Sequence, residues 1–227
     1  MLDDQLPIES CRRLLDSIRG ACAREAAVEV VRARRGRSLH YEVLDGPRVA
    51  RDLPEVQSLY DELLPVAAEL SALELVPLHD ARAAANVNII SKRGEYRWHY
   101  DRNEVTVLVY LNDVEGGELE CYPSYRLFLG NRWPRLQRLL DSLLATAVAR
   151  RRFGRPVVVP PVRGRMVVMR GDRCLHSVRP LANGGLRVNL VFAYSAAGAR
   201  VPRRDALDSY LYSQHDASAD PNYVLSA

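Results

Sequence analysis

The sequence is organised around one stretch, Trp98-His99-Tyr100-Asp101, which is followed closely by the run Glu104-Val-Thr-Val-Leu-Val-Tyr110-Leu-Asn112. The run is rich in β-branched and aromatic residues, and this composition predicts a buried strand. On a strand, side chains two residues apart point to the same face. The sequence therefore predicts that His99 and Asp101 aim an imidazole and a carboxylate at a single point, as two ligands of a divalent metal.

Length and composition predict one domain that spans residues 1–227. Hydrophobic residues make up 48% of the chain, which is enough for a core. No run of about 18 apolar residues occurs, so no membrane span is expected. The acidic start, Met1-Leu-Asp-Asp-Gln, does not match a secretory signal, and a cytoplasmic location is expected. No oligomeric state is predicted.

The net charge of +4 raises the question of nucleic-acid binding. All basic residues except Lys92 are arginines, and they are interleaved with 28 acidic residues. This mixing makes a nucleic-acid partner an unfavoured interpretation. The densest cluster, Arg150-Arg151-Arg152, is expected at a solvated helix end, where basic side chains complement the helix dipole. Free thiols are expected for the four cysteines, since their spacing forms no CxxC pair: Cys11, Cys22, Cys121 and Cys174.

Residues 1–83 are predicted to form helical and strand support for a sheet. Apolar residues recur every three or four positions in two segments, as in amphipathic helices. Gly46-Pro47 predicts a turn, and Pro65 is expected to kink or split the second helix. The predicted elements are the helices 8–24 and 54–70 and the strands 26–32 and 39–44.

Residues 84–195 change to a pattern of short strands. An amphipathic helix at 134–152 interrupts the strands, and 196–227 form a polar tail. The segment Asp113-Val-Glu-Gly-Gly117 predicts a hairpin turn between two consecutive strands. The predicted strands are 85–90, 98–101, 104–112, 118–122, 156–159, 165–170, 175–178 and 187–194. Together they predict a mainly β fold with flanking helices (α+β), in which the N-terminal helices pack on a β-sandwich or a jelly roll.

His176 is the candidate for a third metal ligand, because it starts a predicted strand 75 residues after Asp101. Two histidines and one carboxylate form the facial triad of non-haem Fe(II) oxygenases. Arg187 lies 11 residues after His176, and Asn189 shares its strand face. A buried guanidinium needs an anionic partner, and a dicarboxylate co-substrate would pair with it bidentately. Tyr110 is placed to donate its hydroxyl to the same carboxylate.

These residues resemble the signature of the 2-oxoglutarate- and Fe(II)-dependent dioxygenases over roughly residues 85–195. The run Val105–Asn112, followed by Gly116-Gly117-Glu-Leu, resembles more narrowly the prolyl-4-hydroxylase-like branch. The resemblance implies a double-stranded β-helix (jelly-roll, cupin-like) core, with Fe(II), 2-oxoglutarate and O2 as the reactants at the metal. It also implies site roles for His99, Asp101 and His176 as metal ligands and for Arg187 and Tyr110 at the 5-carboxylate of 2-oxoglutarate.

The sequence departs from the family pattern in two places. Members often carry a tyrosine on the strand before the metal-binding histidine, and Asn88 is expected to contact the 1-carboxylate or the substrate here instead. Arg187-Val-Asn189 also resembles the nucleic-acid-demethylating branch, but the further arginine of that branch is missing. The second departure is the helix at 134–152, which does not belong to the common core.

The resemblance implies hydroxylation of an unactivated C–H bond, coupled to decarboxylation of 2-oxoglutarate to succinate and CO2. A small polar metabolite, such as an amino acid or a biosynthetic intermediate, is the expected substrate. A prolyl-type protein side chain is the alternative, and a nucleic-acid demethylase or a non-enzymatic cupin-like binding module is less favoured. Arginines near the metal would suit an anionic substrate, and Glu120 would suit an amine. The expected mouth residues are Arg97, Tyr100, Arg102, Asn103, Glu120, Tyr122, Tyr125, Arg126 and the 126–134 loop.

Overall fold

The computed structural model describes residues 1–32, 37–91, 94–129, 134–181, 184–199 and 211–212. Within these ranges the chain forms six helices and eleven strands. The helices are α1 (Ile8–Arg24), α2 (Gly46–Asp52), α3 (Pro54–Ser71), α4 (Ala81–Ala84), α5 (Pro134–Leu144) and α6 (Ala147–Phe153). The strands are β1 (Val28–Arg32), β2 (Leu39–Leu44), β3 (Leu75–Pro77), β4 (Ala85–Ile90), β5 (Tyr96–His99), β6 (Val105–Tyr110), β7 (Leu119–Tyr122), β8 (Val157–Val159), β9 (Met166–Met169), β10 (Leu175–Val178) and β11 (Arg187–Ala196).

Two antiparallel sheets make up the core. The larger sheet has the order β1-β2-β4-β11-β6-β9, with β3 paired to the end of β11, and the smaller sheet has the order β5-β10-β7-β8. From β4 onward the chain alternates between the two sheets, except at the step from β7 to β8. This alternation is the double-stranded β-helix, so the predicted fold class is confirmed.

The predicted hairpin at Asp113–Gly117 is wrong. The strand before it, β6, pairs with β9 and β11, whereas the strand after it, β7, belongs to the smaller sheet. The segment is a crossover between the sheets, and both of its glycines take positive φ values. Two adjacent glycines indicate a tight bend of the chain, but they carry no information on which strand the chain pairs with next. The connection from β10 to β11 also crosses between sheets, and Asn183 in it lies outside the described residues.

The N-terminal helices pack on the larger sheet, as predicted. Cys11, Leu14 and Ile18 of α1 join one buried cluster with side chains of the sheet. Tyr60 of α3 stacks on Tyr194 of β11 with ring centroids 4.8 Å apart. Its hydroxyl donates to the carbonyl of Ala193 at 3.1 Å and accepts from the amide of Leu78 at 2.9 Å. Packing and hydrogen bonding therefore fix α3 to the strand that also carries Arg187.

Helix α3 continues through Pro65, with buried side chains on both sides of it, so the predicted split does not occur. Two other local predictions are wrong. Gly46-Pro47 opens α2 instead of ending in a turn, since Asp45 caps the helix by accepting from the amide of Arg48. The helix expected at 134–152 is divided into α5 and α6, because the side chain of Thr146 caps a new helix.

Within the described residues, no helix combines the length and the apolar character needed to cross a membrane.

The Tyr60→Phe substitution tests the attachment of α3 to the sheet. It leaves the buried carbonyl of Ala193 and the amide of Leu78 without their partner, so we expect a loss of about 1–3 kcal/mol in the free energy of unfolding. Urea denaturation measures this. Tyr125→Phe is the matched control, because its hydroxyl makes one bond to Leu144 in a partly exposed position, and its effect should stay within about 0.5 kcal/mol. Equal effects of the two substitutions would contradict the assignment.

Candidate metal centre

Three side chains that can bind a metal converge between the strands of the smaller sheet. His99 ends β5, His176 lies on β10, and the two residues are direct partners in the antiparallel pairing. The Nε2 atoms of His99 and His176 lie 3.3 and 3.5 Å from Oδ1 of Asp101. One ligand atom from each residue lies within 4.8 Å of the others, so a single ion can be reached by all three.

Asp101 reaches this point differently from the prediction. Strand β5 ends at His99, so Asp101 is not on the same strand. Its backbone amide donates to the carbonyl of Gly171 at 3.0 Å, which fixes the turn that brings the carboxylate back toward the histidines. The two-residue spacing therefore places both ligands together, although by a turn and not by strand alternation.

The ring orientation of each histidine is set by a backbone carbonyl. Nδ1 of His99 lies 2.9 Å from the carbonyl oxygen of Arg97, and Nδ1 of His176 lies 3.0 Å from that of Cys174. A carbonyl only accepts, so each Nδ1 carries the proton and each Nε2 turns toward Asp101. The Nε2 lone pairs then face a carboxylate oxygen, an arrangement that is favourable only when a proton or a metal cation lies between them. The residues present therefore fit a bound metal ion.

A short hydrogen-bond chain holds the carboxylate of Asp101. Oγ1 of Thr106 donates to Oδ2 of Asp101 at 2.5 Å, and Nδ2 of Asn103 donates to Thr106 at 2.9 Å. A Cβ atom at Gly171 would lie 2.5 Å from the same Oδ2, so this position requires glycine. The sequence reasoning missed the positioning contacts of Thr106 and Gly171, and it placed Asn103 at the substrate mouth. A threonine five residues after the aspartate was the available signal.

The surroundings favour the protonation states that bind metal. Burial raises the pKa of Asp101, but the positive charge that His176 and His99 carry when protonated and the hydrogen bond from Thr106 outweigh burial, so this pKa lies well below its usual range. Burial and the neighbouring His99 lower the pKa of His176 to about 4. An ionised carboxylate and a neutral imidazole are the forms that coordinate metal ions.

Arg187 is buried, and it has no anionic partner among the described acidic residues. Only 2% of it is exposed. Nη1 donates to Oδ1 of Asn189 at 2.8 Å, Nη2 lies 3.4 Å from the hydroxyl of Tyr110, and Nε has no hydrogen-bond partner. A Cβ atom at Gly117 would lie 3.1 Å from Cδ of Arg187, so the crossover glycine makes room for the arginine stem. Since a buried charge without a counter-charge is costly, this guanidinium is suited to an anionic ligand.

The family model of the 2OG-Fe(II) oxygenase superfamily matches residues 85–195, about half of the chain. The chain belongs to this superfamily. The matched segment begins at β4 and ends within β11, so it contains His99, Asp101, His176 and Arg187. The protein is therefore an oxidoreductase of the 2-oxoglutarate-dependent dioxygenase class, and the family's reactants are Fe(II), 2-oxoglutarate and O2. The predicted family, enzyme class and cofactors are confirmed.

Solved structures with the same fold include the following three. A prolyl-4-hydroxylase from Pseudomonas putida is 20% identical, with a TM-score of 0.55 and coverage of 86% of this chain and 90% of that chain. AviO1 from Streptomyces viridochromogenes Tue57 is 23% identical, with a TM-score of 0.60 and coverage of 88% and 89%. SnoK, an α-ketoglutarate-dependent carbocyclase from nogalamycin biosynthesis, is 17% identical, with a TM-score of 0.62 and coverage of 85% and 77%. No curated protein matches the sequence significantly.

The oxygenase encloses its triad and Arg187 in one cavity of about 1120 Å³. Asn88 and Asn189, which face each other across β4 and β11, line the same cavity. Five of the expected mouth residues lie on its wall: Arg97, Tyr100, Arg102, Asn103 and Arg126. The other three, Glu120, Tyr122 and Tyr125, do not. Within the 126–134 loop, Phe128 lines the cavity, and 130–133 lie outside the described residues.

Glu120 belongs to an ion-pair cluster and not to the cavity wall. Its carboxylate accepts from Arg37 at 2.6 Å and from Arg179 at 3.2 Å. These arginines also lower its pKa against the raising effect of burial. The expectation that Glu120 receives a substrate amine is therefore wrong.

Arg126 connects helix α5 to the residues around the metal centre. Its guanidinium pairs with Asp141 of α5, with Nη2 and Oδ2 2.5 Å apart, and Nη1 donates to the carbonyl of Asp172 at 3.1 Å. The same group lies 4.9 Å from the ring centroid of Tyr100. Asp141 lines the cavity, so α5 is a wall of the active site. This contact was not visible in the sequence, because 15 residues separate the two partners.

The Thr106→Val substitution tests the support of Asp101. It keeps the side-chain shape and removes the hydrogen bond to Oδ2, so we expect the affinity for Fe(II), or for Co(II) as an air-stable probe, to fall about 10- to 100-fold. Isothermal titration calorimetry with Co(II) measures the affinity. Thr146→Val makes the same chemical change at the cap of α6 and should leave the affinity unchanged. An unchanged affinity in Thr106→Val would refute the positioning contact.

Proposed function

We propose that the enzyme hydroxylates an unactivated C–H bond of a small polar metabolite, an amino acid or more favourably a larger biosynthetic intermediate. His99, Asp101 and His176 would hold Fe(II), and the observation that carries this role is the convergence of their ligand atoms within 4.8 Å. The bound metal supplies the activation of dioxygen that couples 2-oxoglutarate decarboxylation to C–H oxidation. The residues of the chain supply the ligand geometry, orient the co-substrate and form a wall that excludes water.

Arg187 and Tyr110 are proposed to bind the 5-carboxylate of 2-oxoglutarate. The uncompensated buried guanidinium supports this role, because a carboxylate would neutralise it and accept from its unpartnered Nε. Asn189 accepts from Nη1 and so fixes the plane of the guanidinium. Asn88, opposite Asn189, is proposed to contact the 1-carboxylate or the substrate. The 2-oxoglutarate molecule would then extend from Arg187 at one end to the metal ligands at the other.

Apolar side chains near the metal are proposed to exclude water from the reacting C–H bond. Leu108, Leu119 and Leu175 line the cavity and are at least nine-tenths buried. Exclusion of water strengthens the electrostatic interactions in the site and suppresses side reactions. The buried hydroxyl of Tyr100 has no hydrogen-bond partner in the described part of the chain, so it is available to a polar group of the substrate.

The size and wall of the cavity support a small molecule as substrate. Its volume of about 1120 Å³ exceeds what 2-oxoglutarate alone needs and lies just above the range for drug-sized ligands, about 300–1,000 Å³. Helix α5 closes part of the wall through the pair of Arg126 and Asp141. The fold neighbour SnoK is a carbocyclase of a biosynthetic route. A prolyl-type protein substrate is the second candidate, and the fold neighbour from Pseudomonas putida favours it.

The substrate class is tested by incubation of the enzyme with Fe(II), 2-oxoglutarate and a host extract that has been separated into an ultrafiltrate and a retained protein fraction. We expect mass spectrometry to find a gain of one oxygen in a molecule of the ultrafiltrate, together with enhanced succinate formation. A gain of one oxygen on retained protein alone would contradict the small-molecule proposal and favour prolyl-type hydroxylation. The His176→Ala variant serves as the inactive control.

The Arg187→Gln substitution tests co-substrate binding. Loss of one partner of a buried charge pair costs about 2–5 kcal/mol, so we expect the KM for 2-oxoglutarate to rise by about 30-fold or more. Arg187→Lys keeps the charge but loses the planar fork of the guanidinium. Its KM for 2-oxoglutarate should lie between those of the wild type and Arg187→Gln. The measured quantity is succinate formed by uncoupled turnover at varied 2-oxoglutarate.

Arg48 supplies the matched control for Arg187. It is another buried arginine, but it donates to backbone carbonyls at the end of α1 and does not line the cavity. Arg48→Gln should lower stability and leave the KM for 2-oxoglutarate unchanged. A similar rise of KM in both glutamine variants would refute the specific role of Arg187.

A further inference from the structure

The insertion formed by residues 134–155 carries more than the entire net charge of the protein. It contains six arginines and one aspartate, a formal charge of +5, whereas the whole chain carries +4. The remaining residues therefore carry a formal charge of −1 in total. Arg135, Arg151, Arg152 and Arg155 are exposed, and none of them forms an ion pair with a described acidic residue. The basic character of the protein is thus concentrated on α5, α6 and the two residues that follow them, beside the proposed active site.

The same region concentrates the exposed apolar side chains. In the described part of the chain, 17 large apolar residues are exposed, and ten of them lie between residues 127 and 158. Leu136, Leu139 and Leu143 of α5 are 54%, 59% and 55% exposed, and Phe153 of α6 is 72% exposed. Single exposed apolar residues are ordinary on a protein surface, but a cluster of this kind marks an interaction site.

Helix α5 is attached to the protein by the polar side chains of Gln137 and Asp141, and Leu140 and Leu144 are partly buried on the same side. Gln137 accepts from the amide of Leu129 and donates to the carbonyl of Leu127, and Asp141 pairs with Arg126. The leucines at i, i+3 and i+7 share the opposite face, which points to solvent. A surface helix normally buries its apolar face, whereas three of the five leucines of α5 are more than half exposed. The contacts of Gln137 and Asp141 with residues 126–129 set this orientation.

We propose that α5 and α6 form a docking surface for an anionic lipid membrane. The exposed leucines and Phe153 would enter the lipid interface, and the unpaired arginines would contact the headgroup phosphates. Exposed arginines beside exposed leucine and phenylalanine side chains on surface helices are typical of peripheral membrane attachment. Attachment of this kind needs no membrane-spanning segment.

Three other occupants fit the surface less well. A second copy would bring two sets of four exposed arginines together. A nucleic acid would match the charge but leave the exposed leucines without a partner, since its contacts are mainly to phosphate and sugar. An acidic protein would need a shaped groove, whereas these side chains project from the surface with more than half of their area exposed.

The docking surface is continuous with the active site. Phe128 is 51% exposed, belongs to the apolar cluster and also lines the active-site cavity. Asp141 and Ala145 of α5 line the cavity from the opposite side of the helix. A docked insertion therefore holds the mouth of the cavity at the lipid interface.

Vesicle co-sedimentation of the full chain tests the proposal. We expect binding to vesicles of equal parts phosphatidylcholine and phosphatidylglycerol, little binding to phosphatidylcholine alone, and weaker binding at high salt. Leu139→Glu/Leu143→Glu should lower the partition coefficient by about tenfold or more, because it replaces two inserting side chains with charges. Arg151→Ser/Arg152→Ser should also lower it about tenfold.

Matched variants outside the insertion separate docking from general surface effects. Ile8→Glu/Leu70→Glu replaces two similarly exposed apolar residues, and Arg12→Ser/Arg19→Ser removes two exposed arginines of α1. Both should bind vesicles like the wild type. Uncoupled succinate formation should remain in all four variants, which shows that they are folded.

Four results would overturn the proposal. The first is no binding of the wild type to anionic vesicles, and the second is equal loss of binding in the insertion and control variants. The third is a dimer in analytical ultracentrifugation that Leu139→Glu/Leu143→Glu converts to a monomer, because the face would then join two copies. The fourth is binding of an oligonucleotide without binding of vesicles.

Discussion

The pairing of β5 with β10 is the constraint on which the active site depends. It sets His99 and His176 opposite each other, and the turn after β5 adds Asp101 from the same chain segment. Each histidine is then oriented by a carbonyl of its own strand region, so three ligand atoms point into one space. A slip of one residue in this pairing would turn one imidazole to the opposite face of the sheet and disperse the triad.

Each of the two sheets contributes different residues to the site. The smaller sheet carries the histidines, and the larger sheet carries Arg187 on β11, with β6 beside it contributing Tyr110 and Thr106. Because α3 is stacked on β11 through Tyr60 and Tyr194, the N-terminal helices hold the arginine-bearing strand in place from behind. The alternation of the chain between sheets thus brings the three proposed metal ligands and Arg187 into one cavity.

Sequence reasoning reached the parts of the structure that local patterns encode. The spacing of His99 and Asp101, the strand runs and the position of Arg187 were sufficient for the fold class and the family. Pairing partners were not encoded locally, so the crossover at Asp113–Gly117 was taken for a hairpin. The orientation of α5 was also hidden, because the contacts of Gln137 and Asp141 with the 126–129 segment decide it against the usual burial of an apolar face.

The most direct test of the account is a crystal structure of the protein with Fe(II) and 2-oxoglutarate, prepared without oxygen. We predict an anomalous iron peak bound by Nε2 of His99, Nε2 of His176 and the carboxylate of Asp101. The distal carboxylate of 2-oxoglutarate should lie against the guanidinium of Arg187 and the hydroxyl of Tyr110. Iron at another position, or a co-substrate that leaves Arg187 without an anion, would contradict the account.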